Sequence, residues 1–130
     1  MRITESTENY MEAILILQQQ NGAVRAVDIA HYFGFSKPTL SQYMKQYVQQ
    51  GLVEVDGNGH ITLTAEGRAI ADHIFERHQV ITAVFTALGV PEETAREDAC
   101  KVEHDLSDVT FQCMKAHYQQ YLRHRGEAED

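Results

Sequence analysis

Cysteine is scarce in this chain. There are two in 130 residues, thirteen positions apart, which is no disulfide framework, so both thiols are expected to be reduced. Long apolar runs are missing, so no segment could span a bilayer as a helix, and the opening "MRITESTENY" has no signal-peptide core. A cytoplasmic protein without membrane association is the expectation. Repeats and low-complexity linkers are also lacking. With 43% apolar residues the chain can bury a core, as one compact domain or two small units. Excess positive charge is absent too: the formal charge is −8, which argues against a general affinity for phosphates. The charge is unevenly placed, however. Residues 1–50 carry four basic side chains (Arg2, Arg25, Lys37, Lys45) and four acidic ones (Glu5, Glu8, Glu12, Asp28). The whole −8 therefore lies in the remaining 80 residues, where it can serve solubility, cation binding or both.

What the sequence does contain is "CKVEHD" at residues 100–105. In a helix, side chains three and four positions apart share a face, so Cys100, Glu103 and His104 would project together as three potential metal ligands. The alternative for the fragment alone is a half-buried helix in which cysteine acts as a small hydrophobe.

Around it the pattern is mostly helical. Residues 6–20 open with Ser6 and Thr7 as cap candidates and place Tyr10, Ile14 and Leu17 on one stripe. After Asn21-Gly22, a short apolar helix runs from about Val27 to Phe33 and ends at Gly34. Ser36 caps a third helix, with Pro38 in its first turn and Gly51 as its stop. Leu52, Val53 and Val55, then Asp56 to Gly59, then Ile61 and Leu63 read as a β-hairpin. A long helix follows from Thr64 to Leu88, with Ile70, Ile74, Ile81, Val84 and Leu88 among its apolar positions, and ends at Gly89. Pro91 then lies in the first turn of a fifth helix, which carries "CKVEHD". Ser107 caps a last helix, before the acidic tail "GEAED" frays.

The predicted fold is mainly α with a small β-hairpin wing. Helix, short helix, helix and hairpin is the order of a winged helix-turn-helix, with Gly34 in the turn. In that motif the third helix enters the DNA major groove by its N-terminal end. Ser36, Lys37, Pro38, Thr39 and Gln42 are the candidate DNA-facing residues. Glutamine can pair with adenine, hydroxyls can meet phosphates or bases, and the Pro38 ring or Thr39 methyl can meet a thymine methyl. Some other small domain with a helical pair is the competing interpretation.

"SKPTLSQ" from Ser36, the pair Arg77-His78 and "CKVEHDLS" resemble the diphtheria toxin repressor and manganese transport regulator family of metal-dependent transcriptional repressors. The likeness runs over nearly the whole chain. It implies a winged helix-turn-helix over residues 1–72 and a helical dimerisation and metal-binding domain over residues 73–130. It also implies a metal set of Asn9, Glu12, His78, Cys100, Glu103 and His104. The partners implied are a second copy of the chain and a palindromic double-stranded operator, with metal uptake genes as the regulated class. By resemblance the metal would clamp the first helix to the fourth and fifth, so that two reading heads reach major grooves about 34 Å apart.

The chain is a hybrid within that family. Manganese-type members usually carry aspartate at the position of Asn9 and a carboxylate at that of Cys100, while matching Glu12. Iron-type members carry cysteine at the Cys100 position but methionine at that of Asn9. Thr82 and Arg96 stand where iron-type ancillary Glu and His ligands are expected, and the resemblance is to the short manganese-type form, for which no SH3-like domain is expected. The resemblance points to Fe²⁺ or Mn²⁺. A thiolate with imidazoles and carboxylates also suits Zn²⁺ or Co²⁺.

Three alternatives stay open at this stage: a winged-helix regulator of an organic ligand, a redox switch through Cys100 or Cys113, and a metal hydrolase. The last lacks any nucleophile constellation or phosphate loop, so no enzyme is expected. His31, His60, His73, His117 and His124 read as solvated or packed side chains, and Cys113 as core. Tyr43 and Tyr47 either touch the DNA backbone or pack.

Overall fold

The computed structural model describes the backbone of residues 3–129 and the side chains of residues 3–126. The chain divides into two compact units, Met1–His73 and Ile74–Asp130. The fold is mainly helical, with one two-stranded hairpin among the described residues.

The first unit opens with α1, Glu5–Asn21. Its N-cap is Thr4, whose hydroxyl accepts from the Thr7 backbone N–H at 3.2 Å, and not Ser6 or Thr7. Thr4 is the last residue with extended backbone, so Ser6 and Thr7 already belong to the first turn. The stripe Tyr10, Ile14 and Leu17 is buried as expected. α2, Ala26–Phe33, ends at Gly34, whose φ of 72° and ψ of 28° are left-handed. There the Phe35 N–H reaches back to the Ala30 carbonyl at 2.9 Å. That turn needs a positive φ, which glycine adopts without a Cβ penalty. α3, Lys37–Gln49, buries Leu40, Met44 and Tyr47.

Tyr10 of α1 ties these helices together. Its ring centroid lies 4.8 Å from Phe33, 5.2 Å from Tyr43 and 5.6 Å from Tyr47. Burial, with Tyr43 and Tyr47 alongside, pushes the Tyr10 phenol up to about 12, so it stays neutral at any physiological pH. Tyr47 is thus a packing residue, and Tyr43 stays 38% exposed beside it.

The wing consists of β1, Val53–Val55, and β2, Ile61–Leu63, antiparallel with Val53 opposite Leu63. It is anchored to the segment before α2. Ile61 N–H donates to the Val24 carbonyl at 2.7 Å, Arg25 bridges His60, and Arg25 Nη1 donates to the Asn58 carbonyl at 2.7 Å.

Within the turn, the Asp56 carboxylate accepts from the backbone N–H of Asn58 at 2.8 Å and of His60 at 2.9 Å. The His60 amide bond is the main cause of its lowered pKa, with Asn58 and the His60 ring assisting. A carboxyl whose folded pKa is depressed stabilises the turn fully above its ordinary value of 3.8. That stabilisation is lost as pH falls through the folded value. Acidification below 3.8 should therefore lower hydrogen-exchange protection of the Asn58 and His60 amides. In Asp56→Asn the protection should start lower and not respond to this titration.

α4, Ala65–Ala87, runs through the division at residues 73 and 74. It stops one residue short of the expected end, and Leu88 is 76% exposed and not part of a core. In the second unit, α5 is Glu92–Val102 with Pro91 as its N-cap, and α6 is Asp108–Glu129. Ser107 Oγ accepts from the Thr110 N–H at 3.2 Å, as a cap does. The tail expected to fray is helical as far as Glu129, and Asp130 lies outside the described residues. Ile81, Ala99 and Phe111 form the core of this unit, with Val80, Phe85, Leu106 and Met114 packed on it. Cys113 is exposed and lies outside that core, because α6 turns that face outward.

Candidate metal centre and nucleic-acid face

His78 leaves the middle of α4, and Cys100 sits in the last turn of α5. The helix stops at Val102, so Glu103 is its C-cap, with αR dihedrals of −59° and −28°. His104 lies in the following turn. The single helical face expected for Cys100, Glu103 and His104 therefore holds only as far as Glu103, which still follows the helical path. His104 is brought near by the turn instead.

One donor atom from each of His78, Cys100 and Glu103 lies within 4.8 Å of the others. His78 Nδ1 is 2.8 Å from Glu103 Oε2 and 3.8 Å from Cys100 Sγ. His104 Nε2 lies 3.5 Å from Glu103 Oε1, and both of these side chains are almost fully buried. Cys100 is exposed, so the cluster is open to solvent on the thiol side.

The set fits a divalent cation. Ligands at 2.0–2.3 Å from one ion in tetrahedral array are roughly 3.5 Å apart, close to the spacing of Cys100 and His78. Deprotonated Cys100 and Glu103 would balance two positive charges, with neutral imidazole completing the set. A buried carboxylate facing two imidazoles is expensive unless paired or bound to a cation. Asn9 and Glu12 stand one turn apart on α1 of the first unit, both half-buried.

In the first unit the predicted DNA-facing residues Ser36, Lys37, Pro38, Thr39 and Gln42 are all exposed at the N-terminal half of α3. Ser36 is less free than its sequence position suggests. Its hydroxyl donates to Thr39 Oγ1 at 2.8 Å while accepting from the Thr39 N–H at 3.4 Å. The exposed N-terminus of α3 also presents the positive end of its dipole, which favours phosphate. Sequence reasoning passed over Arg25, which braces the wing against α2. It also noted Arg77 only as half of a motif. Neither role has a local signal, since both depend on contacts with residues more than 25 positions away.

A winged helix with a thiol-imidazole-carboxylate cluster in a separate helical unit defines a metal-responsive DNA-binding regulator. Comparison with known proteins gives the same class. Residues 2–61 match the model of the iron dependent repressor N-terminal DNA binding domain. Residues 64–124 match that of the iron dependent repressor metal binding and dimerisation domain. Transcriptional regulator MntR of Escherichia coli O6:H1 is 35% identical over 117 residues, covering 90% of this chain and 76% of that protein. Iron-dependent repressor IdeR of Mycobacterium leprae is 31% identical over 107 residues, which is 82% of this chain and 46% of IdeR. A solved structure of a manganese-dependent transcriptional repressor in complex with manganese superposes with a TM-score of 0.76 at 26% identity. That match covers 85% of this chain and 51% of the other. The chain thus spans about half the length of IdeR and of that solved repressor. The chain belongs to the diphtheria toxin repressor and manganese transport regulator family of metal-dependent transcriptional repressors. It is a regulator and not an enzyme.

Proposed function

We propose that this chain represses transcription as a homodimer on a palindromic double-stranded operator, with a divalent cation as its co-repressor and metal uptake genes as its targets. The observation that carries this reading is the convergence of His78, Cys100 and Glu103 inside the segment that matches a metal binding and dimerisation domain. Residues 1–72 are the reading head, with Ser36, Lys37, Pro38, Thr39 and Gln42 toward DNA. Residues 73–130 hold the dimer and metal functions. In the second unit Leu88, Val109, Tyr121 and Leu122 are exposed apolar side chains, surface that a second copy would cover.

His78, Cys100, Glu103 and His104 would hold the ion, and Asn9 and Glu12 complete the proposed ligand set on the strength of the family resemblance. The bound ion supplies positive charge that neutralises these groups and fixes their geometry. Fe²⁺ and Mn²⁺ are the family's ions. The thiol of Cys100 tilts the set toward Fe²⁺, Co²⁺ and Zn²⁺ and away from Mn²⁺, because manganese prefers oxygen-rich sites. Replacing Cys100 by Asp should move the preference toward Mn²⁺ by about tenfold relative to Co²⁺, read in competition titrations; an unchanged ratio would remove the thiol from the site.

Operator and cation are linked through differential affinity. The DNA-competent arrangement must hold the ion better than the alternatives do, and DNA must in turn tighten the ion. Fluorescence anisotropy on a palindromic duplex, with added Fe²⁺ or Mn²⁺ and after chelation, tests the reading. Chelation that leaves binding unchanged would favour an organic effector instead.

A further inference from the structure

We propose that Arg77 is the positioning residue of the metal centre, holding the end of α5 so that Glu103 is already aimed before a cation arrives; this rests on the metal reading above. Arg77 and His78 are consecutive on α4 and grip the same residue from opposite ends. His78 Nδ1 meets the Glu103 carboxylate at 2.8 Å, while Arg77 Nη1 donates to the Glu103 backbone carbonyl at 3.1 Å. The same nitrogen donates to the Leu106 carbonyl at 2.6 Å, spanning the turn that contains His104. Nη2 lies 3.7 Å from Asp108 Oδ1, and the guanidinium carbon sits 5.2 Å from the Phe111 ring centroid.

These contacts answer a structural need. Glu103 caps a helix whose last carbonyls have no intrahelical donors, and the turn after it carries a second candidate ligand. A cation at a helix C-terminus also interacts favourably with the dipole. Arg77 is only 6% exposed, and its Nε is buried without a hydrogen-bond partner among the described residues. A charged group carrying that penalty is placed for geometry more than for stability. Guanidinium has no lone pair to offer a metal, so Arg77 acts through Glu103 and His104 and not as a ligand.

The sign of the effect separates positioning from electrostatics. A positive side chain near a cation site weakens cation binding by repulsion, so removing the charge alone would tighten it. Removing a positioning residue loosens it, typically about 10–100-fold for groups that orient metal ligands. The test is a Co²⁺ titration of the full chain. It follows thiolate-to-cobalt absorption and compares wild type, Arg77→Met, Arg77→Lys and Cys100→Ser, with metal-free thermal unfolding of each. Support is a loss of about 10–100-fold in Co²⁺ affinity for Arg77→Met, a smaller loss for Arg77→Lys, and altered absorption in both. Arg77→Met that binds as tightly as wild type or tighter, or that melts earlier with affinity unchanged, overturns the proposal. Should Arg77→Met not fold, Arg77→Lys matching wild type in affinity and spectrum overturns it equally. If wild type gives no absorption that Cys100→Ser abolishes, the thiolate metal site itself falls and this role falls with it. A wild-type band retained at full strength in Arg77→Met refutes the role of Arg77 alone.

Discussion

Chelating divalent cations should weaken binding to a palindromic operator by about 100-fold, at the upper end of ordinary allosteric coupling. That factor corresponds to about 2.8 kcal/mol at 1.4 kcal/mol per decade. The placement of charge keeps that loss measurable. The first 50 residues are electrically neutral and the remainder carries −8, so nonspecific attraction to phosphate is weak and cannot mask the loss of the specific component. In the proposed complex few cations are available for phosphate, Lys37 being the one among the proposed DNA-facing residues, so the salt dependence should be shallow. By reciprocity, saturating operator must raise the affinity for the activating ion by the same factor. Anisotropy with and without metal, and metal titration with and without duplex, close the thermodynamic cycle. Equal operator affinity in both states, or a cycle that fails to close, would reject the coupling.

Gly67→Ala should destabilise the chain, although the same change in most helix interiors is favourable by about 1 kcal/mol. Gly67 is buried in the first turns of α4. A Cβ there would drive into the backbone carbonyl of Leu52, with the carbonyl carbon 3.0 Å away. Neither side can yield cheaply. Gly67 N–H donates to Thr64 Oγ1 at 3.1 Å, whose own hydroxyl donates to the Gly51 carbonyl at 2.6 Å. Thr64 N–H donates to the Leu52 carbonyl at 3.0 Å. The backbone at the start of α4 is thus pinned to the strand entry by two hydrogen bonds from Thr64, which the Gly67 amide in turn holds in place. Overpacking of a rigid contact costs about 1–3 kcal/mol or more, which outweighs the propensity gain. At about 4–8 °C per kcal/mol for a unit of this size, the melting temperature should fall by roughly 10 °C. A variant that melts at or above the parent temperature would show that the contact can relax.

Sequence determined the helices, the hairpin and the general nature of the site, because each has a local cause. Apolar spacing placed Tyr10, Ile14 and Leu17 in the core. Gly34 and Ser36 marked the turn between α2 and α3 through backbone preference and capping, and Asp56 to Gly59 marked the wing. Cys100 and Glu103 lie one helical turn apart, so their proximity was written in their spacing. Tertiary structure alone decided the rest. His78 meets Glu103 across 25 positions, and the end of α5 at Val102 makes His104 a turn residue. Arg77 closes on the Glu103 and Leu106 carbonyls, and Leu88 and Cys113 lie outside the core. Local sequence encodes backbone dihedrals and which face is apolar. Which helix end halts against which side chain depends on packing between segments far apart in the chain, and no window along the sequence contains both partners.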